Sequence, residues 1–273
     1  MRLVRAAAVV LLAATLAGGC AKADPSTVVG RAQGGRLTIG IRFDQPGLAE
    51  RTVDGRFVGF DVDVAKYVAA RLGVKPAGIT WKETTSSSRE TDLTSGAVDL
   101  VVATYSITDQ RKRLVAFAGP YFVTGQDLLV RKFDTTITGP ASLDGHQLCS
   151  VTGSTSAQKV RDDFAQAVQL IEYPRYSDCV TALLAGQVDA VTTDAAILAG
   201  YVKQNPELLK LAGKPFTTER YGIGLRKGDG ADQVAIDDAI QQMISSGAWL
   251  DSVRRNLTST GYPLPEPPAV TER

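Results

Sequence analysis

The chain has 273 residues, with 30 basic and 29 acidic side chains, one histidine and three cysteines. A near-neutral chain lacks the basic surface that nucleic-acid binding requires, so no nucleic-acid partner is expected. With two of the cysteines expected to pair, a single histidine leaves no ligand set for a zinc site, and neither a metal nor a cofactor is expected.

The first 20 residues, MRLVRAAAVVLLAATLAGGC, place two arginines before an apolar run and then small residues before a cysteine. This order is that of a secretory signal, because the apolar run is too short to span a bilayer comfortably. LAGGC resembles the lipobox of bacterial lipoproteins, although Leu16 lies four places before Cys20 instead of three. We expect a signal peptide over 1–19, a lipidated Cys20 that anchors the protein to the extracytoplasmic face of the cell membrane, and a tether over 20–35. An ordinary secreted cysteine is the alternative.

Strand-like and helical segments alternate along the rest of the chain. A β-branched run at 36–43 precedes an amphipathic helix over 59–73 that Gly73 closes. Further strands are predicted at 99–105, 127–132, 147–153 and 189–194, and further helices at 156–168 and 196–204. The alternation indicates parallel α/β layers, and about 225 residues suffice for one large or two small domains. The last stretch, 259–273, is rich in proline and is expected to be an extended tail.

Cys149 and Cys179 remain once Cys20 is assigned to the anchor. In an exported, disulfide-permissive compartment such a pair is expected to form a disulfide, which would close a loop of roughly 30 residues. Two buried free thiols are the alternative.

One construction occurs twice, in LTSGAVDLVVAT (93–104) and LLAGQVDAVTTD (183–194), and it predicts two similar α/β lobes. Ligands of open α/β sheets bind beyond the carboxyl ends of the strands. Polar residues at these ends are therefore candidates for the site: Arg42, Thr104, Tyr105 and Ser106 in the first lobe, and the turn 152–156 and Asp194 in the second. A cleft lined by arginines, hydroxyls and one carboxylate suits a small zwitterion with extra negative charge. Asp99 and Asp189 precede their strands at the opposite end, so structural roles are expected for both.

GRFVGFDVDVAKYVAARLG and VDLVVATYSITDQRKRLVAFAGPY, followed by VDAVTTD, resemble the polar amino-acid-binding proteins of ABC importers, and most of all their glutamate-binding lipoproteins. The resemblance covers about 36–258 and implies the two-lobed periplasmic-binding-protein type II fold, an α/β fold in which each lobe is a sheet flanked by helices. It places lobe 1 at 36–125 plus 222–258 and lobe 2 at 126–221, with two hinge crossings. It also implies a monomer without catalytic activity that delivers an amino acid to ABC permease subunits.

The resemblance also implies roles for single residues. Arg111 matches the arginine that clamps the ligand α-carboxylate, helped by Ser106 and by the backbone near Thr104. Asp194 matches the carboxylate that receives the α-ammonium group.

In the second lobe, Thr155 with Ser154 corresponds to the turn where free amides at a helix start meet the α-carboxylate. Arg42 and Arg89, with Ser86 nearby, correspond to positions that read the ligand side chain. Two converging arginines are costly without an anion, so glutamate is the first expectation and aspartate the second.

Other interpretations of these residues stay open. Arg42 could pair structurally with Asp44 or Asp61, Arg89 could lie on a helix surface, and Asp194 could merely cap the following helix. A lipoprotein sensor that signals to a membrane receptor is an alternative function. An enzyme on the same fold, such as a cyclohexadienyl dehydratase, is a further one, although no GxSxG motif, P-loop or histidine-based nucleophile is present.

Overall fold

The computed structural model describes residues 24–228 and 230–272, so the expected signal peptide and Cys20 lie outside the described residues. The strands are β1 (Leu37–Ile41), β2 (Asp44–Gln45), β3 (Ala49–Arg51), β4 (Phe57–Val58), β5 (Ile79–Glu83), β6 (Leu100–Val101), β7 (Ala116–Thr124), β8 (Gln126–Arg131), β9 (Gln147–Val151), β10 (Gln169–Tyr173), β11 (Ala190–Asp194), β12 (Leu209–Leu211) and β13 (Glu219–Leu225). The helices are α1 (Val28–Gln33), α2 (Phe60–Arg71), α3 (Arg89–Thr94), α4 (Asp109–Lys112), α5 (Ser156–Asp163), α6 (Tyr176–Leu184), α7 (Ala195–Gln204), α8 (Gly230–Ser245) and α9 (Ala248–Asn256).

Two five-stranded sheets organise the chain. The first has the order β5-β1-β6-β13-β7 and the second the order β10-β9-β11-β8-β12, and a small third sheet is formed by β2, β3 and β4. In each large sheet three neighbouring strands pair in parallel. One strand, β13 in the first sheet and β8 in the second, runs antiparallel beside them, and the edge strand, β7 or β12, pairs antiparallel with that one. Each large sheet is the centre of one lobe: lobe 1 holds the first and third sheets, and lobe 2 holds the second sheet with α5, α6 and α7. The predicted two-lobed α/β fold class is confirmed.

The chain passes between the two sheets twice. It leaves the first sheet at the end of β7 and enters the second one residue later, through Gly125. It returns between β12 and β13, and β13 pairs with β7 so that Glu219 lies opposite Thr124. The two crossings are thus adjacent in space, which is the arrangement of a hinge. The lobe boundaries expected from the sequence stay predictions.

The repeated construction has the same local structure in both lobes. Gly96 and Gly186 have positive φ angles of 73° and 72°, which glycine adopts without steric cost. The Asp99 carboxylate accepts the Thr38 amide at 2.7 Å, and the Asp189 carboxylate accepts the Gln147 amide at 2.9 Å. Each aspartate therefore ties its loop to the start of a neighbouring strand, which agrees with the expected structural roles.

Two predicted elements end four or five residues earlier in the structure than in the sequence analysis. β6 ends at Val101 instead of 105, because the chain turns at Thr104, where φ is +47°. α5 ends at Asp163 instead of 168, and Phe164 leaves the helical region. The early end of β6 leaves Thr104 and Ser106, which follow it, outside the strand, and both line the cavity described below.

The expected disulfide is present between Cys149 of β9 and Cys179 of α6. It ties α6 to the second sheet inside a buried cluster. The proline-rich C-terminal stretch returns to lobe 1, where the amides of Thr271 and Glu272 donate to the Gly119 carbonyl at 2.8 and 2.9 Å. Within the described residues, every helix is too short or too polar to cross a membrane.

Candidate functional site

A small cavity lies between the lobes at the carboxyl ends of their parallel strands. Eight residues expected from the sequence line it: Ser86, Arg89, Thr104, Ser106, Arg111, Ser154, Thr155 and Asp194. Three further lining residues were not expected: Tyr176, Thr193 and Ile197. Two expected residues, Arg42 and Tyr105, lie outside the lining. The structure thus brings most of the predicted residues together, while their roles toward a ligand remain predictions.

Arg111 reaches the cavity from a short helix that follows the end of β6. Thr108 caps this helix by accepting the Arg111 amide at 3.2 Å. The guanidinium of Arg111 donates to the Ser106 carbonyl at 2.8 Å, and across the cleft to the Gly153 carbonyl at 3.3 Å. Its Nε lies 3.5 Å from the Glu90 carboxylate. The buried guanidinium is therefore held in one orientation and contacts both lobes.

Arg89 lies beside Arg111 and is also buried. Its guanidinium carbon is 4.1 Å from the centre of the Tyr105 ring, so Tyr105 forms a platform beneath Arg89 and does not face the cavity. The Nε of Arg89 has no hydrogen-bond partner among the residues that the structure describes, and the nearest carboxylate, that of Glu90, is 3.9 Å away. Burial, reinforced by the charge of Arg111, lowers the pKa of Arg89 to about 9. Because this environment disfavours the charged form of Arg89, an anion bound beside it would stabilise that form.

Arg42 does not line the cavity, and its role toward a ligand stays a prediction. Its Nε and Nη2 atoms donate to Asp44 Oδ1 at 3.2 and 3.0 Å, which is one of the structural pairings that the sequence left open. Its guanidinium lies 5.8 Å from the centre of the ring of Tyr176, which lines the cavity. Asp44 therefore already neutralises the arginine that was expected to read the ligand side chain.

Asp194 ends β11 and precedes α7, and it is buried. It holds the N-cap position, but within the described part of the chain its carboxylate makes no capping hydrogen bond to α7. Instead the Tyr221 hydroxyl donates to its Oδ2 at 2.6 Å. Burial, followed by the nearby Glu219 charge, raises the pKa of Asp194 to about 7. An ammonium group in the cavity would favour the ionised form of Asp194 by placing a positive charge beside it.

Thr104, the counterpart of Asp194 in the repeat, has a φ of +47°, which is uncommon for a β-branched residue. The buried Asp61 carboxylate stabilises this turn by accepting the Thr104 amide at 2.8 Å, and its other oxygen accepts the Tyr121 hydroxyl at 3.0 Å. Burial raises the pKa of Asp61 to about 7 despite these two donors. The sequence analysis missed this role, because nothing local links Asp61 to a turn 43 residues away.

The lobe 2 turn 152–155 closes the other side of the cavity. Gly153 has a φ of +80°, and a Cβ there would lie 2.9 Å from the backbone of Ser86 in lobe 1. Thr155 accepts a hydrogen bond from Gln126 at 3.1 Å, and Ser154 accepts one from the Tyr176 hydroxyl at 3.0 Å. Only glycine allows the two lobes to approach so closely at 153. The lobes are therefore closed over the cavity.

The side chains around the cavity are of kinds that can bind a charged ligand. Two guanidinium groups, several hydroxyls and one carboxylate with a raised pKa surround the cavity. In the described ranges 24–228 and 230–272, no three His, Cys, Asp or Glu side chains cluster to hold a metal ion.

Comparison with known proteins identifies the family of this chain. The profile of the bacterial extracellular solute-binding proteins, family 3, matches residues 37–258. The glutamate-binding protein GluB of Corynebacterium efficiens is 46% identical over 235 residues, which cover 82% of this chain and 80% of that protein. The ABC transporter glutamine-binding protein GlnH of Bacillus subtilis is 39% identical over 195 residues, 71% of each chain. Among solved structures, an ancestral arginine-binding protein bound to arginine aligns with a TM-score of 0.76 and 35% identity over 81% of this chain and 98% of that one. With matches of this extent to amino-acid-binding proteins, the chain belongs to the bacterial extracellular solute-binding proteins of family 3.

Proposed function

We propose that the protein captures an acidic amino acid, with glutamate preferred over aspartate, and delivers it to an ABC permease. The observation that carries this proposal is the pair of buried guanidinium groups, Arg89 and Arg111, on one wall of the cavity. The Glu90 carboxylate lies near both, at 3.9 and 3.5 Å from their Nε atoms. Asp194 faces them from the other lobe.

Glutamate matches these charges group by group. Its α-carboxylate would pair with Arg111 and its α-ammonium with Asp194, as the family resemblance implies. This leaves Arg89, whose Nε is free of hydrogen bonds within the described residues, for the side-chain carboxylate. An arginine fork binds a carboxylate through two parallel hydrogen bonds, which a neutral amide cannot reproduce.

The relatives support the same ligand class. GluB is named for glutamate and GlnH for glutamine, so both names point to a ligand with a five-carbon backbone. Because Asp44 already neutralises Arg42, the choice between a carboxylate and an amide falls mainly to Arg89.

The N-terminal sequence supports a membrane-anchored position for the binding domain. A lipid on Cys20, followed by a tether over 20–35, would hold the binding domain at the extracytoplasmic face of the membrane, beside the permease. A ligand that contacts both lobes favours the closed form, and closure is a signal that a permease can read.

A thermal-shift screen over the twenty amino acids tests the ligand. Glutamate should raise Tm more than glutamine does at equal concentration, and Arg89→Gln should reduce the glutamate shift far more than the glutamine shift. Arg113→Gln, at an exposed arginine directly after α4, is the matched control and should leave both shifts unchanged. A wild-type preference for glutamine or for a basic amino acid would refute acidic specificity.

A further inference from the structure

Asp44 of lobe 1 contacts lobe 2 through two of its oxygens. Its Oδ2 accepts the amide of Tyr176 at 3.0 Å and the amide of Ser177 at 3.4 Å, both in the first turn of α6. Its backbone carbonyl accepts the Tyr201 hydroxyl from α7. The remaining oxygen, Oδ1, holds Arg42 within lobe 1. One largely buried side chain therefore joins the two lobes.

The helix that Asp44 contacts lacks a cap of its own. Arg175 occupies the N-cap position of α6 with extended backbone angles, and in the described structure its side chain makes no capping hydrogen bond. The first amides of any helix have no partner within the helix, and a carboxylate near them is stabilising. Asp44 supplies from the opposite lobe what Ser, Thr, Asp or Asn supplies at an ordinary N-cap.

This contact also sets one wall of the cavity. Tyr176 is the first residue of α6 and lines the cavity, and its hydroxyl donates to Ser154 on the lobe 2 turn. The Arg42 guanidinium lies over its ring, so Arg42, Asp44 and Tyr176 form one connected unit across the cleft. Asp44 itself lies outside the cavity lining.

We infer that Asp44 is a latch for lobe closure: it caps α6 only when the lobes are closed and so increases affinity without touching the ligand. It is a positioning residue, and the inference rests on the proposed amino-acid-binding function. In the open form water solvates both the carboxylate and the helix amides. The contact then forms only after the ligand has entered.

The size of the effect follows from known capping energies. Loss of a side-chain N-cap costs about 0.5–2 kcal/mol, which corresponds to about twofold to thirtyfold in an equilibrium constant. Because the latch forms after binding, its loss should raise the dissociation rate constant and leave the association rate constant nearly unchanged.

Asp44→Ala tests the latch, with the exposed Asp54→Ala on the neighbouring hairpin as the matched control. Calorimetry and stopped-flow kinetics with L-glutamate should show about tenfold weaker binding for Asp44→Ala, through faster dissociation. Small-angle scattering at saturating L-glutamate should show less compaction than in the wild type. The control should stay within about twofold of the wild type, as expected for an exposed ion pair.

The same substitution made in an Arg42→Gln protein distinguishes two roles of Asp44: a latch between the lobes and a mere counterion of Arg42. In the Arg42→Gln background, where the loss of Asp44 leaves no Arg42 charge unpaired, Asp44→Ala should still accelerate dissociation. A wild-type dissociation rate for Asp44→Ala, or an effect that disappears in the Arg42→Gln background, overturns the latch. If wild type does not bind L-glutamate, the proposed specificity fails, and the same comparison is made with the amino acid that gives the largest thermal shift.

Discussion

Replacing Asp194 with asparagine should have opposite effects on the free protein and on the complex. The substitution preserves size and leaves an oxygen that can accept the Tyr221 hydroxyl, which now donates at 2.6 Å. It removes the one charge that faces the two arginines from lobe 2. The free protein should become more stable at neutral and higher pH, whereas glutamate binding should become much weaker.

The sign for the free protein follows from proton linkage. The unfolded carboxyl releases its proton near pH 3.8, whereas burial raises the folded pKa of Asp194 to about 7. Between these values the native state binds more protons than the unfolded state, so the free energy of unfolding falls as pH rises and levels off above about pH 7. The full cost of ionising the buried group is at most about 4 kcal/mol. Asp194→Asn should recover most at pH 8, roughly a third as much at pH 5, and almost none below about pH 3.8.

The complex responds in the other direction. Truncating one partner of a buried charge pair typically costs about 2 to 5 kcal/mol, or about thirtyfold to several thousandfold in Kd. In the wild type, Kd for glutamate should fall as pH rises from about 6 to about 8, because Asp194 must ionise to pair with the ammonium. This pH dependence should be absent from Asp194→Asn.

Urea unfolding and calorimetry, each at pH 5 and pH 8, measure the two effects. Asp251→Asn, at an exposed aspartate on α9, serves as the control and should change neither quantity. If Asp194→Asn binds glutamate within threefold of the wild type at pH 8, Asp194 does not receive the ammonium. If its stability at pH 8 is not increased, the carboxylate is not ionised at a cost in the free protein.

Three other substitutions test further parts of the site and the fold. Arg111→Ala should weaken glutamate binding by more than about thirtyfold, because a buried charge partner that contacts both lobes is lost; calorimetry within threefold of the wild type would exclude Arg111 as the carboxylate clamp. Asp61→Ala should lower the free energy of unfolding by about 2 to 4 kcal/mol in urea titrations, since the Thr104 amide and the Tyr121 hydroxyl lose their acceptor. Replacing Cys149 and Cys179 together with alanine should cost about 3 to 4 kcal/mol, given a closed loop of 30 residues, and an unchanged urea midpoint would contradict the entropic account.

Local patterns in the sequence were sufficient for the α/β fold class and for part of the cavity, whereas Ser86, Arg89 and Arg111 were expected from the family resemblance. The period of apolar residues indicated the α/β alternation, and the repeated construction around Gly96 and Gly186 indicated two similar lobes. The rule that ligands bind beyond strand ends then selected Thr104, Ser106 and Asp194, all of which line the cavity in the structure. These inferences succeed because each depends on a few neighbouring residues and on a general property of parallel sheets.

Only the tertiary structure decided which charges neutralise one another. Asp44 pairs with Arg42, which the sequence analysis expected to bind the ligand side chain. Tyr105 turns inward beneath Arg89. The contact of Asp44 with α6 joins residues 132 positions apart, which no local pattern encodes. Such pairings follow from how the two lobes meet, since burial makes an unpaired charge costly and the nearest opposite charge in space satisfies it.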